Sequence, residues 1–257
     1  MMVVNTFLIG LIGCILAGMA TALGAIPIFF VKEISHKHLD GLLGFAAGVM
    51  LAATCFSLII PSIEYGGGGL NAVMLTSAGI LSGGIMLDFI DRYAPHEHIL
   101  FRGKKEGVSS SLSKVWLFII AITIHNFPEG LAVGVGFGSG NIYDGISLAL
   151  GIGLQNIPEG MAVALALKRE NYSNSKAFYI ALLTGLVEPI GGIIGMLMIK
   201  ISKPILPFIL ALAAGAMLFV ISDEIIPETH EHGFERIATY GLLFGFVIMM
   251  ILDVTLG

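Results

Sequence analysis

"AITIHNFPEG", residues Ala121 to Gly130, decides how the rest of the chain is interpreted. The stretch is apolar except for a histidine, an asparagine and a glutamate, and it contains a proline. Thirty positions later the chain reads "GIGLQNIPEG", from Gly151 to Gly160. Both stretches share asparagine, any residue, proline, glutamate and glycine in that order. A polar cluster that occurs twice inside apolar sequence indicates a buried functional site.

The chain around these motifs has the composition of an integral membrane protein. It has 257 residues, of which 56% are hydrophobic and 12% are charged. Soluble domains carry roughly twice that charged fraction. A membrane-spanning helix needs about 20 mostly apolar residues, and eight such stretches are present if interior glutamates are allowed in three of them. The predicted spans are 4–31, 40–63, 69–91, 115–138, 143–167, 177–199, 204–227 and 236–256.

These spans predict an all-α integral membrane protein with eight transmembrane helices and a single transmembrane domain over residues 1–257. Spans four and five carry the repeated motif, with three spans before them and three after them. Three spans on each side, entered from opposite faces, are what the inverted repeats of secondary transporters require. The longest connection, residues 92–114, is predicted to be a cytoplasmic loop.

Basic residues predict the orientation in the membrane. Eleven of the thirteen Lys and Arg residues lie in or beside the connections after spans one, three, five and seven. Because cytoplasmic loops carry the excess of basic residues, both termini are predicted to lie outside. The first apolar run is longer than the roughly 7–15 residues of a signal-peptide core, so we expect a retained span.

His125 and Glu129 are four residues apart, and so are Gln155 and Glu159 in the second motif. Side chains at this spacing lie on one face of a helix. Each motif has a proline just before its glutamate, which removes a backbone donor and bends the helix. Such breaks at membrane depth are tolerated where they line a cavity. Span six adds "GLVEPIGG", in which Glu188 precedes a proline.

Three ionised glutamates inside the membrane require a counter-charge. One charge at the centre of a spanning helix costs roughly 2.5–3.5 kcal/mol on insertion scales. No Lys or Arg lies between Lys114 and Lys168, or between Lys176 and Lys200, so the three spans contain no basic partner. The missing positive charge is therefore supplied either by protons or by a bound cation.

The polar residues around the glutamates are the ligand types of a divalent metal. Imidazole, carboxylate and amide oxygen suit zinc, ferrous iron, manganese, cobalt or cadmium, and they argue against copper(I). A protonated packing glutamate, or a histidine that forms an interhelical hydrogen bond, would explain any one of these residues alone but not the repeated pattern. The candidate metal ligands are His125, Asn126, Glu129, Gln155, Asn156, Glu159 and Glu188.

At these motifs the sequence resembles the ZIP family of metal-ion transporters, in particular its short bacterial zinc-uptake branch. "HNFPEG" and "QNIPEG" match the family signature of spans four and five, and "VEPIGG" agrees with its sixth span. The resemblance covers essentially the whole chain. It implies import of zinc, and also of iron, manganese, cobalt and cadmium, from outside to cytoplasm by elevator-like alternating access, often by a homodimer.

The resemblance also implies a binuclear metal centre. Four residues correspond to the ligands of its transport site: His125, Glu129, Gln155 and Glu159. Five correspond to its second site, with the two motif glutamates bridging both metals: Asn126, Glu129, Asn156, Glu159 and Glu188. Many members have histidine where this chain has Gln155, which implies a broader metal range. Some have aspartate where it has Asn156, which leaves the second site one negative charge poorer.

Polar residues near the span ends are candidates for the path of the ion. Ser57 and Glu64, towards the outer half of span two, are predicted to line an entrance. Four acidic residues at the cytoplasmic ends of spans three and seven are predicted to line an exit: Asp88, Asp91, Asp223 and Glu224.

Two other functions remain as alternatives. An intramembrane metalloenzyme would carry His-Glu-x-x-His on one span, which this sequence lacks, so no enzymatic activity is expected. A proton-coupled carrier of an organic cation would use the same glutamates for protons and substrate. The expected partners are divalent metal ions and the lipid bilayer of the cell membrane, with no nucleic acid.

Overall fold

The helices follow the apolar runs of the sequence. The computed structural model describes residues 2–30, 35–93, 96–97, 105–106, 114–201, 203–231 and 233–256. Its helices are α1 Met2–Ala25, α2 His36–Ala53, α3 Ile60–Tyr65, α4 Gly69–Tyr93, α5 Lys114–Gly138, α6 Ile142–Arg169, α7 Asn174–Gly185, α8 Glu188–Ile201, α9 Leu206–Val220, α10 Ile226–Thr229 and α11 Glu235–Leu256.

The predicted all-α membrane class is confirmed. Seven helical segments of the described chain are long and apolar enough to cross a bilayer. The fourth predicted span, 115–138, coincides with the continuous 25-residue helix α5 but is not one of those seven, so the count of eight spans stays a prediction. The described part of the 92–114 connection contains a short antiparallel pair, His96–Glu97 with Lys105–Glu106.

Two predicted spans contain the same irregularity. A π-helical turn at Thr54–Ile59 joins α2 to α3, and another at Ile221–Ile225 joins α9 to α10. Each turn leads into Ile-Ile-Pro, residues 59–61 and 225–227, where proline cannot donate the regular helical hydrogen bond. These spans are the middle members of the first and last three, so the turns agree with the predicted three-two-three arrangement.

The helices pack as two groups. The motif group consists of α1, α5, α6, α7 and α8, in which α1 packs most extensively against α6 and α5 against α8. The flanking group consists of α2, α3, α4, α9, α10 and α11, in which α2 packs against α11 and α4 against α9. The groups meet chiefly where α2 contacts α6 and where α9 contacts α5.

Glycines of the two motifs set the helix spacing within the motif group. A Cβ atom on Gly130 of α5 would overlap the backbone of Glu188 in α8. A Cβ atom on Gly160 of α6 would likewise overlap the backbone of Thr21 in α1. Small residues at helix contacts let membrane helices approach to backbone distance. The last residue of each motif therefore holds its helix against a neighbour.

The boundary between the groups is packed differently. In the flanking group, a Cβ atom on Gly48 of α2 would overlap the backbone of Leu242 in α11. Across the boundary, Gly151 of α6 meets the flexible end of the Met249 side chain instead. Each group is thus joined internally by backbone contacts, whereas at this point side chains form the surface between them.

Candidate metal centre

The two motifs lie inside unbroken helices, and the third glutamate lies at a helix start. Helix α5 continues through Pro128 and α6 through Pro158. Between α7 and α8 the chain makes a turn at residues 186–187, so α8 begins at Glu188. The N-terminus of a helix carries partial positive charge, which favours a carboxylate. Pro189 is tolerated in this first turn because no intrahelical partner is lost there.

All seven candidate ligands are buried. Their exposed fractions are between 0% and 4%, although charged and amide side chains are rarely found at such depth. The three glutamates lie within electrostatic range of one another, and Glu159 is also within range of His125. The structure therefore brings the histidine and the three glutamates, from two separate motifs and a third span, within range of one another.

The side-chain amides of the second motif donate hydrogen bonds to two of the glutamates and to a backbone carbonyl. The Gln155 Nε2 group donates to Glu129 Oε1 over 2.7 Å. The Asn156 Nδ2 group donates to Glu188 Oε1 over 2.6 Å and to the Ala17 carbonyl over 2.9 Å. Both amides are thereby oriented with their donors turned to the protein, and each fixes one oxygen of a glutamate.

The remaining oxygen of each of these groups has no protein partner. A buried polar atom without a hydrogen bond costs about 1–3 kcal/mol, and native proteins contain few of them. In the described part of the chain, most of the buried side-chain atoms without a hydrogen bond belong to the candidate ligands, and nearly all of those are acceptors. They are Glu129 Oε2, Gln155 Oε1, Asn156 Oδ1, Glu159 Oε1 and Glu188 Oε2, together with both amide atoms of Asn126.

A small cavity reaches the motif residues. His125, Glu129 and Glu159 line it at one end, and half-buried Glu228 of the flanking group lines it too. Its volume is about 20 Å³, which is room for about one water-sized species because roughly 10–15 Å³ suffices for a water molecule. The cavity extends towards the end of the helices where the basic connections lie.

At the opposite end of the helices lie the two residues of the predicted entrance, Ser57 and Glu64. Ser57 is buried and its hydroxyl donates to Asp253, whereas Glu64 is exposed. Ser147 of α6 also donates to Asp253, over 3.5 Å. Asp253 was not predicted from the sequence, although it is the only acidic residue of the last predicted span, 236–256. A lone acidic residue inside an apolar span is the sequence signal that could have identified Asp253 as a candidate.

The predicted exit residues are dispersed. Asp88 is half-buried, and Asp223 is exposed. The side chains of Asp91 and Glu224 lie outside the described part of the structure. Neither Asp88 nor Asp223 is among the described residues that line the cavity, whereas Glu228 is.

The buried centre is not a ready-made metal cage. In the described part of the chain, no three His, Cys, Asp or Glu side chains already surround one point closely enough to hold a metal ion. Both cysteines have free thiols; Cys14 is buried and Cys55 is half-buried. Any metal here must therefore draw on amide oxygens or shift a carboxylate.

The fold and the site define a multi-pass membrane protein with a buried acidic centre. The family described as ZIP Zinc transporter matches residues 96–253. Zinc transporter GufA of Myxococcus xanthus is 47% identical over 252 residues, covering 96% of this chain and 99% of the relative. Zinc transporter ZIPB of Bordetella bronchiseptica is 42% identical over 242 residues, covering 93% and 78%. Zinc transporter ZupT of Chlorobium phaeovibrioides is 38% identical over 248 residues, covering 91% and 93%.

These matches establish the family. The chain belongs to the ZIP zinc transporter family. It is accordingly a transporter and not an enzyme, as the absence of a zinc-protease motif predicted.

Proposed function

We propose that this protein imports zinc and related divalent transition cations from outside the cell to the cytoplasm. The cation is held during transit by the buried residues of the two motifs and Glu188. The relatives named as zinc transporters support zinc as the principal cargo. The candidate ligands also suit iron, manganese, cobalt and cadmium.

The observation that carries this proposal is the set of buried, unpartnered oxygens. Amide donors of Gln155 and Asn156 are already used by the protein, while their oxygens and one oxygen of each glutamate are not. A site that accepted hydrogen bonds from a donor-rich substrate would look similar, but the three carboxylates also need positive charge. Since these spans contain no Lys or Arg, a divalent cation satisfies both requirements at once.

The size of the cavity argues against the alternative of an organic cation. About 20 Å³ accommodates a metal ion or a water molecule, whereas an organic substrate would need several times that volume. Protons remain competitors for the same carboxylates rather than the cargo.

A binuclear arrangement is part of the proposal. The two hydrogen-bonded pairs, Gln155 with Glu129 and Asn156 with Glu188, divide the centre into two halves. Glu159 is within electrostatic range of Glu188, and Glu129 of both. We expect Glu129 and Glu159 to bridge two metals after small side-chain rotations, with His125 and Gln155 completing one site and Asn126, Asn156 and Glu188 the other.

Alternating access is proposed to arise from sliding of the motif group against the flanking group. Backbone contacts at Gly130 and Gly160 keep the motif group together. The boundary is looser, because an apolar cavity of about 270 Å³ separates α4 from α5 beside Pro128. With both termini outside, the cavity at Glu228 lies on the cytoplasmic side. At the outer side long hydrogen bonds join the groups, Tyr65 to Asp144 over 3.4 Å and Ser147 to Asp253 over 3.5 Å.

The test is zinc uptake by the purified protein in liposomes. Glu159→Ala removes a carboxylate common to both proposed metal positions, so we expect uptake to fall to the level of empty liposomes. Glu170→Ala is a matched control, because Glu170 is an exposed glutamate just beyond the end of the same helix, and it should transport like the parent. Full residual transport by Glu159→Ala would remove the site assignment.

Location and assembly follow from the family resemblance. We expect the protein in the cell membrane with both termini outside, and we expect a homodimer. Large apolar side chains exposed on α4 and α11, such as Leu81, Ile85 and Phe244, suit contact with lipid or with a second copy.

A further inference from the structure

We propose that Glu228 forms a separate transit site for the cation, between the buried centre and the cytoplasm. This inference rests on the proposed function above. It assigns a role to a residue in the flanking group, where none of the seven candidate ligands lies.

The cavity supplies the first argument. Glu228 lines the same cavity as His125, Glu129 and Glu159, and the other lining side chains are apolar, including Leu43, Ile122 and Val220. Among the described residues, Glu228 is therefore the next charged group that an ion leaving the buried glutamates along this cavity would meet. The cavity also shows where the ion would come from, since Glu129 Oε2 and Glu159 Oε1 are buried and unpartnered.

The backbone supplies the second argument. The π-helical turn Ile221–Ile225 lies directly before α10, which carries Glu228 after Pro227. A π turn adds a residue to the helical repeat and is frequent at functional sites; it changes which face of the following turn meets the cavity. Asp223, within the π turn, is exposed, whereas Glu228, after it, faces the cavity.

Among the described neighbours of Glu228, His230 and Glu231 do not line the cavity. The Nδ1 atom of His230 lies 2.8 Å from the Ile226 carbonyl, which holds that ring against its own helix. Glu231 is exposed and does not line the cavity. An ion that passes from site to site must not bind any one of them too tightly. A half-buried carboxylate therefore suits a transit site better than a site that surrounds the ion with several ligands.

The experiment compares binding with transport in three variants of the full chain. Glu228→Gln keeps the shape of the side chain but removes its charge, and Glu231→Gln is the matched control. We expect Glu228→Gln to bind zinc at equilibrium within about twofold of the parent, measured by calorimetry on purified protein, while its initial uptake rate falls about tenfold. Glu228→Asp should recover part of that rate, and Glu231→Gln should match the parent in both measurements.

The outcomes separate this inference from the proposed function. Parent-like uptake by Glu228→Gln, with uptake abolished in Glu159→Ala, overturns the transit site alone. A parallel loss of zinc affinity and uptake in Glu228→Gln also overturns it, because Glu228 would then belong to the central site. Parent-like uptake by both variants overturns the proposed function itself.

A second measurement covers a Glu228→Gln protein that fails to fold. Glu228→Cys places a thiol at the cavity, and we expect a membrane-impermeant maleimide to label it from the cytoplasmic side only. Zinc should slow this labelling at least about fivefold more than it slows labelling of Glu231→Cys. Equal protection of both thiols, or labelling from the outer side, would contradict the proposal. The unmodified chain gives the background from Cys14 and Cys55.

Discussion

The motif group and the flanking group would carry different parts of the proposed transport path. All seven candidate ligands lie on α5, α6 and α8 of the motif group. The polar groups at the two ends of the path lie mostly on the flanking group, with Glu228 at one end and Ser57 and Asp253 at the other. Binding and access are therefore assigned to separate sets of helices.

The packing of the two sets explains why this separation is useful. Ligand geometry within the motif group is fixed by backbone contacts such as that between Gly130 and Glu188. The contact of Gly151 with Met249 across the boundary is made by a flexible side chain. A displacement of one group can then change which end of the path is open without moving the ligands relative to one another.

Gly130→Val should have the largest effect on the folded protein, because it disrupts the helix packing inside the motif group. The added side chain would overlap the backbone of Glu188 rather than a movable side chain, and overpacking of this kind costs about 1–3 kcal/mol or more. We expect little folded protein after purification by size-exclusion chromatography. Gly151→Ala, at the boundary, should purify and melt nearly like the parent. Equal stability of both variants would contradict the proposed difference in packing.

The second-largest effect is expected from an acid pH on the outer side, which should slow zinc uptake. Protons compete with the cation for carboxylates that must be deprotonated to bind metal, so occupancy of the centre falls as pH falls. We expect the initial rate of zinc uptake to be about tenfold lower at an outside pH of about 5 than at about 7.5. A rate that stays flat over this range, with the inside pH held constant, would show that the carboxylates do not titrate in the transport cycle.

Asp253→Asn should have a smaller effect, confined to entry. The substitution removes one negative charge at the outer end but keeps an acceptor for the Ser57 hydroxyl. We expect the zinc concentration for half-maximal uptake to rise about threefold, with the maximal rate nearly unchanged, because local attraction of cations weakens. A loss of maximal rate without a shift in half-saturation would instead assign Asp253 to the movement of the groups.

Gln155→His should give the smallest change and tests the difference between the two motifs. Imidazole suits zinc, whereas carbonyl oxygen suits harder ions such as manganese. We expect the ratio of zinc to manganese uptake to rise a few-fold, measured by competition in liposomes. An unchanged ratio would mean that Gln155 supports Glu129 through its hydrogen bond without contacting the metal.

The sequence predicted the helices and the ligand set because both depend on local patterns. Apolar runs mark spans, and four-residue spacing places His125 beside Glu129 on one helix face. The absence of Lys and Arg in the motif spans indicated, before any geometry was known, that protons or a bound cation supply the missing positive charge. These inferences need only the neighbours of a residue along the chain.

Other features depend on contacts between distant segments and were not predicted. The glycine that ends each motif faces another helix, α8 for Gly130 and α1 for Gly160, and nothing in the motif identifies that partner. The division into two groups is likewise a property of packing. The exit was predicted at Asp88, Asp91, Asp223 and Glu224 from their positions at span ends, and that assignment stays a prediction. The presence of Glu228 at the cavity, after the π turn, depends on packing.

The most direct test of the central claim is the zinc K-edge X-ray absorption spectrum of the purified protein loaded with zinc. The account predicts a first shell of nitrogen and oxygen at about 2.0–2.2 Å, with scattering from one imidazole that disappears in His125→Ala. Sulfur at about 2.3 Å would place the metal on a cysteine instead. A spectrum that His125→Ala leaves unchanged would place the metal outside the buried centre and contradict the account.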